Sequence, residues 1–315
     1  MPQPSTPLSQ ENYLAVGNGH RLYFSEHGNA SGPASVVLHG GPGSGCTPAM
    51  LDWFDLSTQR VVLLDQRGAG KSLPPGETAH NTTAALVADL ETLRKSLQIA
   101  RWSAVGGSWG SALGVAYAGT HPQSVSSLVL RGVFLASHRE MKWFFQDLAA
   151  LVPDAWQALT RGWTSPQKAN VLQYLTAVFQ NGTPPEIQLA AQRWQEYEDA
   201  VMQAMTGTAV TPKPANLDHR DHVVAKYRLQ AHYLSQNCFL SERAIFRLAR
   251  ASFDVPTVIV HGTHDWICPP ENVLRLKRFM PHASVQWVNK GTHTASDPLI
   301  LAALRSAIRS MRQYG

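Results

Sequence analysis

Residues Ser103–Leu113 read SAVGGSWGSAL. An apolar run stops at Val105, three glycines crowd around Ser108, and a helix-compatible run begins at Trp109. Gly106-Gly107-Ser108-Trp109-Gly110 fits G-x-S-x-G at a strand-to-helix junction. That pattern forces the serine onto a sharp, strained turn with its hydroxyl exposed above a sheet. Glycines two residues to either side admit neighbouring backbone without Cβ clashes. The amide that follows, that of Trp109, then points to where an oxyanion would form. Ser108 is thus a candidate nucleophile; the plainer reading is a helix N-terminus packed closely on the sheet.

The flanking segments supply the context. SVVLHG (Ser35–Gly40), RVVLLDQ (Arg60–Gln66), WSAVGG (Trp102–Gly107), SSLVLRG (Ser126–Gly132) and VPTVIVHG (Val255–Gly262) are nearly continuous apolar runs. Continuity, rather than alternation, predicts strands buried on both faces, as in a parallel sheet. RLYFSEHG alternates more and predicts part of an antiparallel N-terminal hairpin. Leu86, Leu90, Leu93 and Leu97 fall at helical spacing, which predicts an amphipathic helix over Ala84–Ile99. A second helix follows Ser108 and stops near Pro122. Strands alternating with helices specify an α/β fold with a mostly parallel, doubly wound sheet. From Phe134 to Ser252 strand-like runs disappear, and a Trp-, Gln-, Ala- and Leu-rich region reads as several helices with joints at NGTPPE and TPKPAN. We therefore expect a sheet core over 1–133 and 253–315, with a helical cap inserted over 134–252, above the carboxyl ends of the strands.

A serine hydroxyl needs an imidazole to take its proton and a carboxylate to orient that imidazole. In this fold class the chain order is Ser, acid, His. HGTHDWICPP places Asp265 just past a strand end, and after the strand-like SVQWVN, KGTHTASDP places His293 in the next such loop. Asp254 precedes its strand and belongs at the wrong edge; His261 and His264 flank the acid and read as structural; Asp297 reads as a helix N-cap. A second oxyanion amide is expected from HGGPGSG (His39–Gly45), with Gly41 as the donor and His39 as a buttress of that loop.

Composition excludes other classes. Apolar residues make up 44% and charged residues 16% of 315, an ordinary globular profile. The net charge of +5 is scattered rather than clustered, so no nucleic-acid footprint is expected. Cys46, Cys238 and Cys268 are far apart without CxxC spacing, which suggests neither a disulfide framework nor a zinc site. No apolar run approaches the ~18 residues of a membrane helix, and MPQPSTPLSQENY lacks the features of a signal peptide. The expectation is a soluble cytoplasmic enzyme without membrane partners; oligomeric state leaves no signature here.

With these motifs assembled, the sequence resembles the prolyl aminopeptidases (proline iminopeptidases), serine peptidases of the α/β-hydrolase fold. LHGGPGSG, LLDQRGAGKS, GGSWGSALGVAYA, LVLRGVFL and HDWICPP carry the resemblance. It implies a helical cap, a Ser108–Asp265–His293 triad, oxyanion amides at Gly41 and Trp109, and removal of an N-terminal proline from a small peptide or aminoacyl amide without metal or cofactor. It also implies acidic cap residues that bind the substrate's free amine. In WQEYE, Glu198 keeps one acid while Tyr197 replaces a tryptophan; in RLQAHYL, Gln230 stands where the family carries the other acid. Phe134 matches an aromatic of the proline pocket, and Asp65, Gln66 and Arg67 read as a structural turn. Gln230 motivates an alternative, a related hydrolase acting on neutral amides or esters. Epoxide or haloalkane hydrolysis is disfavoured because it uses a carboxylate nucleophile, and the intact triad disfavours a catalytically dead binding protein.

Overall fold

The computed structural model describes residues 8–207 and 217–314. The joint at residues 211–216 and the start of the N-terminal stretch lie outside them. The strands are β1 (Leu8–Ala15), β2 (Arg21–Gly28), β3 (Ala34–Leu38), β4 (Arg60–Leu64), β5 (Trp102–Ser108), β6 (Val125–Val133), β7 (Thr257–Gly262) and β8 (Ser284–Val288). They form one sheet in the order β1-β2-β4-β3-β5-β6-β7-β8. β1 pairs antiparallel with β2, and β2 with β4. Every other pairing is parallel.

Continuous apolar runs in the parallel strands divide between two cores because successive side chains point to opposite faces. Val36, Leu38, Val62, Leu64, Leu128 and Leu130 join one cluster, whereas Val37, Val61, Leu63, Val129, Val258 and Val260 join the other. The first core is covered by α1 (Thr83–Ser96) and α2 (Trp109–Thr120), and the second by α11 (Pro298–Met311), through Ile300, Leu304 and Ile308. β8 is an edge strand with most residues exposed, Trp287 at 42% among them.

The two expected helices form. Thr82 caps α1 by accepting Ala85 N–H at 3.3 Å. The helix stops short of Ile99 because Gln98 adopts φ 55°. α2 is buried from Trp109 to Ala118, as a helix apolar all round must be, and ends ahead of Pro122. Between β6 and β7 lie α3 (His138–Phe145), α4 (Pro153–Leu159), α5 (Ser165–Ala169), α6 (Val171–Asn181), α7 (Pro184–Thr206), α8 (Leu217–Ser235) and α9 (Glu242–Ala251). Among the described residues this region holds no strand. α7 packs against α4, α6 and α8, whereas α9 packs against α2 beside the sheet. α10 (Glu271–Lys277) follows β7, and Asp297 caps α11 by accepting Leu299 N–H at 2.8 Å.

The junction of β5 and α2 is tight. Ser108 carries φ 56° and ψ −125°, a sparsely populated conformation for a residue with a side chain. A Cβ on Gly106 would lie 2.1 Å from the Gly110 carbonyl oxygen, and one on Gly110 2.0 Å from that of Leu38. Both positions therefore exclude any larger residue, and the chain turns between them at Ser108.

α2 is held at its far end by a buried polar relay. Trp102 Nε1 donates to Tyr117 Oη (3.0 Å), and Tyr117 donates to Glu91 Oε1 (2.6 Å). Arg94 meets the same carboxylate at 2.9 and 2.8 Å. Burial pushes the Glu91 carboxyl up, but the Arg94 and Tyr117 hydrogen bonds outweigh it and hold it at about 2. Unfolded glutamates titrate near ~4.3. This depressed group therefore contributes stability that is complete above ~4.3 and is lost as pH falls towards 2. In urea-unfolding series from neutral to acid pH, Glu91→Gln is expected to lower stability by about 2–3 kcal/mol at neutrality and to flatten the acid limb.

Candidate active site

The loops that follow the parallel strands gather at the carboxyl edge of the sheet, where open α/β sheets place their ligands. Asp265, just past β7, is 2% exposed. Its Oδ1 accepts the Ile267 and Cys268 amides at 3.0 and 2.8 Å, and its Oδ2 accepts His293 Nδ1–H at 2.8 Å. Burial pushes this carboxyl up, but the His293 imidazole, His261 and the Cys268 amide outweigh it and hold it below the usual carboxylate range. Because Nδ1–H is given to a carboxylate, His293 Nε2 presents its lone pair. The pair nests on Gly132, at φ 56°, where a Cβ would lie 3.0 Å from His293 Cε1 and 3.2 Å from Asp265 Oδ2. Arg131 donates to the His293 carbonyl and steadies its loop.

Ser108, His293, Gly41, Phe134, Glu198 and Gln230 all line one cavity of about 290 Å³. Cys268, whose thiol burial pushes well up, lines the same cavity as Ser108. Among the described residues Ser108 makes no hydrogen bond to His293. Gly40 lies against the serine, its would-be Cβ 3.3 Å from Ser108 Cβ, and Gly41 adopts φ 109°. Trp109 opens α2, so its amide has no partner within the helix.

A clamp ties these two segments together. Trp109 Nε1 donates to Gln66 Oε1 (2.8 Å), and Gln66 Nε2 donates to the His39 carbonyl (3.0 Å). Gln66 N–H donates to His39 Nε2 (3.0 Å), and His39 Nδ1 donates to the Gly40 carbonyl (2.9 Å). His39 thus buttresses the glycine loop as anticipated. Asp65 accepts the Cys46 and Lys71 amides, and Arg67 pairs with buried Asp89 at 2.6 Å, so this turn is structural. His261 also has both nitrogens engaged, Nδ1 accepting Val133 N–H (3.1 Å) and Nε2 donating to the Cys268 carbonyl (3.0 Å). No cluster of His, Cys, Asp and Glu fit to hold a metal ion occurs among the described residues.

The insertion contributes the other wall. Glu198 on α7 is ligated by three side chains of α8: Lys226 Nζ at 3.0 Å and Tyr227 Oη at 2.7 Å on Oε2, and Gln230 Nε2 at 2.5 Å on Oε1. Burial pushes its carboxyl up, but Lys226 and these hydrogen bonds leave it below the ordinary range. Lys226 was not singled out in the sequence. Its position four residues before Gln230, hence on the same face of one helix, was the available signal. Tyr197 is buried away from the cavity and donates to the Phe144 carbonyl at 2.8 Å.

Residues 33–297 match the α/β hydrolase fold family. The chain is 36% identical to a proline iminopeptidase of Xylella fastidiosa, over 98% of each chain. It is also 36% identical to one of Arabidopsis thaliana, over 98% of this chain and 81% of that one. The chain belongs to the proline iminopeptidase family. It is a hydrolase of the prolyl aminopeptidase-like class. Among solved structures it shares its fold with VinJ (TM-score 0.68, 21% identity, covering 98% and 100% of the two chains). It shares it also with a proline iminopeptidase-related protein of Thermus thermophilus (TM-score 0.62, 19% identity, covering 98% and 99%). No helix among the described residues is long and apolar enough to cross a membrane.

Burial pushes His39 and His261 below the ordinary imidazole range despite Asp65 and Asp265 nearby. A depressed histidine favours the neutral folded form. Its stabilisation is complete above the unfolded pKa of ~6.5 and is lost as pH falls through the folded value. Thermal melts are expected to move to lower temperature below ~6.5, less steeply for His261→Gln than for the parent chain.

Proposed function

We propose that this family member is a serine prolyl aminopeptidase acting through an acyl-enzyme. Ser108 attacks the carbonyl of the substrate's N-terminal residue, and His293 Nε2 takes the hydroxyl proton. Asp265 holds the imidazole tautomer and stabilises its cation, and the Gly41 and Trp109 amides receive the oxyanion. His293 then passes the proton to the leaving amine, and a water activated by the same imidazole releases the N-terminal residue. The Ser108–His293 hydrogen bond is of the kind that often tightens only when substrate arrives.

The observation that carries this reading is the 2.8 Å Asp265–His293 hydrogen bond, in a cavity shared with a serine at φ 56°. Phe134, 9% exposed, supplies an apolar wall for a proline ring, and the proline iminopeptidases at 33–37% identity support the substrate class. A second reading, hydrolysis of neutral amides or esters on the same machinery, is favoured by the Lys226–Glu198 pair, which gives this carboxylate a cation of its own ahead of any substrate ammonium.

Release of chromophore from a proline anilide, with labelling by a fluorophosphonate, tests the proposal. Ser108→Ala is expected to abolish labelling and lower turnover by about a million-fold, and Asp265→Asn to lower turnover by about ten-thousand-fold while leaving the fold intact. Full labelling of Ser108→Ala would exclude it as nucleophile. Turnover of short acyl esters with none of the proline anilide would favour the second reading.

A further inference from the structure

The cluster formed by α7 and α8 defines what the cavity recognises. Glu198 and Lys226 meet at 3.0 Å, their side chains only 20% and 22% exposed, so the carboxylate already has a cation of its own. Gln230 is 5% exposed, and its Nε2 is given to Glu198. Its Oε1 is buried and has no partner among the described residues. An orphaned buried acceptor is costly unless a ligand supplies a donor. Lys226 Nζ carries three hydrogens. Two serve Glu198 Oε2 and Tyr227 Oη, and one remains. Lys226 and Gln230 both line the cavity and grasp the two oxygens of a single carboxylate, so the spare donor and the spare acceptor belong to one cluster.

The other charged groups of the wall are committed elsewhere. Glu140, 3% exposed, accepts from the Leu135 and Ser137 amides, the Ser137 hydroxyl and Asn272. Arg131 donates to the His293 carbonyl. An incoming ammonium would thus face Lys226, with Glu198 already paired to that lysine and the Glu140 oxygens taken up by amide, hydroxyl and Asn272 donors.

We infer that this subsite takes an uncharged nitrogen that donates one hydrogen and stands beside an acceptor, the pattern of a lactam or secondary amide. The N–H meets Gln230 Oε1, and the neighbouring carbonyl meets Lys226 Nζ. Lys226 is accordingly the residue that turns the subsite against cations. The pyroglutamyl residue, a proline-sized ring with a neutral lactam N–H and C=O, has this chemistry. The inference rests on the second reading above, hydrolysis of neutral amides by the same serine machinery, and names the class of acyl residue that such an enzyme takes.

Calorimetric titration of the Ser108→Ala protein with pyroglutamamide and with prolinamide, which is cationic below the α-amino pKa of ~7.7, tests it without turnover. At slightly acid pH, pyroglutamamide is expected to bind at least about tenfold more tightly. Adding Lys226→Met reverses the order, and Lys226→Arg, which keeps the cation, retains it. Tighter binding of prolinamide, an order indifferent to Lys226→Met, or no binding of either ligand at millimolar concentration overturns the inference. Failure of the parent enzyme to hydrolyse any aminoacyl or pyroglutamyl anilide would instead count against the proposed reaction and leave the binding order standing.

Discussion

The whole site hangs on one steric constraint, the closeness with which β5, the start of α2 and the end of β3 meet. With Gly110 pressed on the Leu38 carbonyl and Gly106 on the Gly110 carbonyl, the backbone has one way through, and that path puts Ser108 at φ 56°. Strain of this kind persists only where the surroundings over-determine it. Here the surroundings are a parallel sheet buried on both faces and a helix with no exposed side, anchored at its far end by Tyr117 and Glu91. The scaffold is dense where the proposed nucleophile must not move.

Around that corner, every polar partner has a second task. Gln66 joins the residue after the serine to the glycine loop after β3, so both proposed oxyanion amides belong to one hydrogen-bonded unit. Asp265 spends one oxygen on its own loop and the other on His293. Gly132 leaves room for the pair, and Arg131 next to it holds the histidine's backbone. Preorganisation of this kind costs nothing when charge develops, and so favours the transition state.

The insertion follows a different logic. Its aromatic interior, with Trp194 packed on Phe145 and Tyr227 at ring-centroid distances of 5.4 and 5.1 Å, fixes α7 against α8. The Glu198–Lys226–Gln230 cluster is set at that seam. In the proposed reading chemistry resides in the sheet and recognition in the helices, which lets the second change without disturbing the first. A carboxylate already satisfied by the chain's own lysine differs as a recognition element from one open to a substrate amine.

Features governed by short-range rules were legible in the residues. Continuous apolar runs marked doubly covered strands because each face of the sheet needs its own core. The glycine spacing marked the elbow, and acid and histidine in strand-end loops marked the candidate triad. The alternation in RLYFSEHG marked the hairpin strand β2. Relations between segments distant along the chain were not legible. Linear order carries no trace of the ion pair that Lys226 makes with Glu198 on another helix, or of α9 lying beside α2. Local pattern determines what each segment becomes, since periodicity and φ preference act over a few residues. Which charges neutralise one another depends on how the segments pack, because an ion pair is set by distance in space rather than by spacing along the chain.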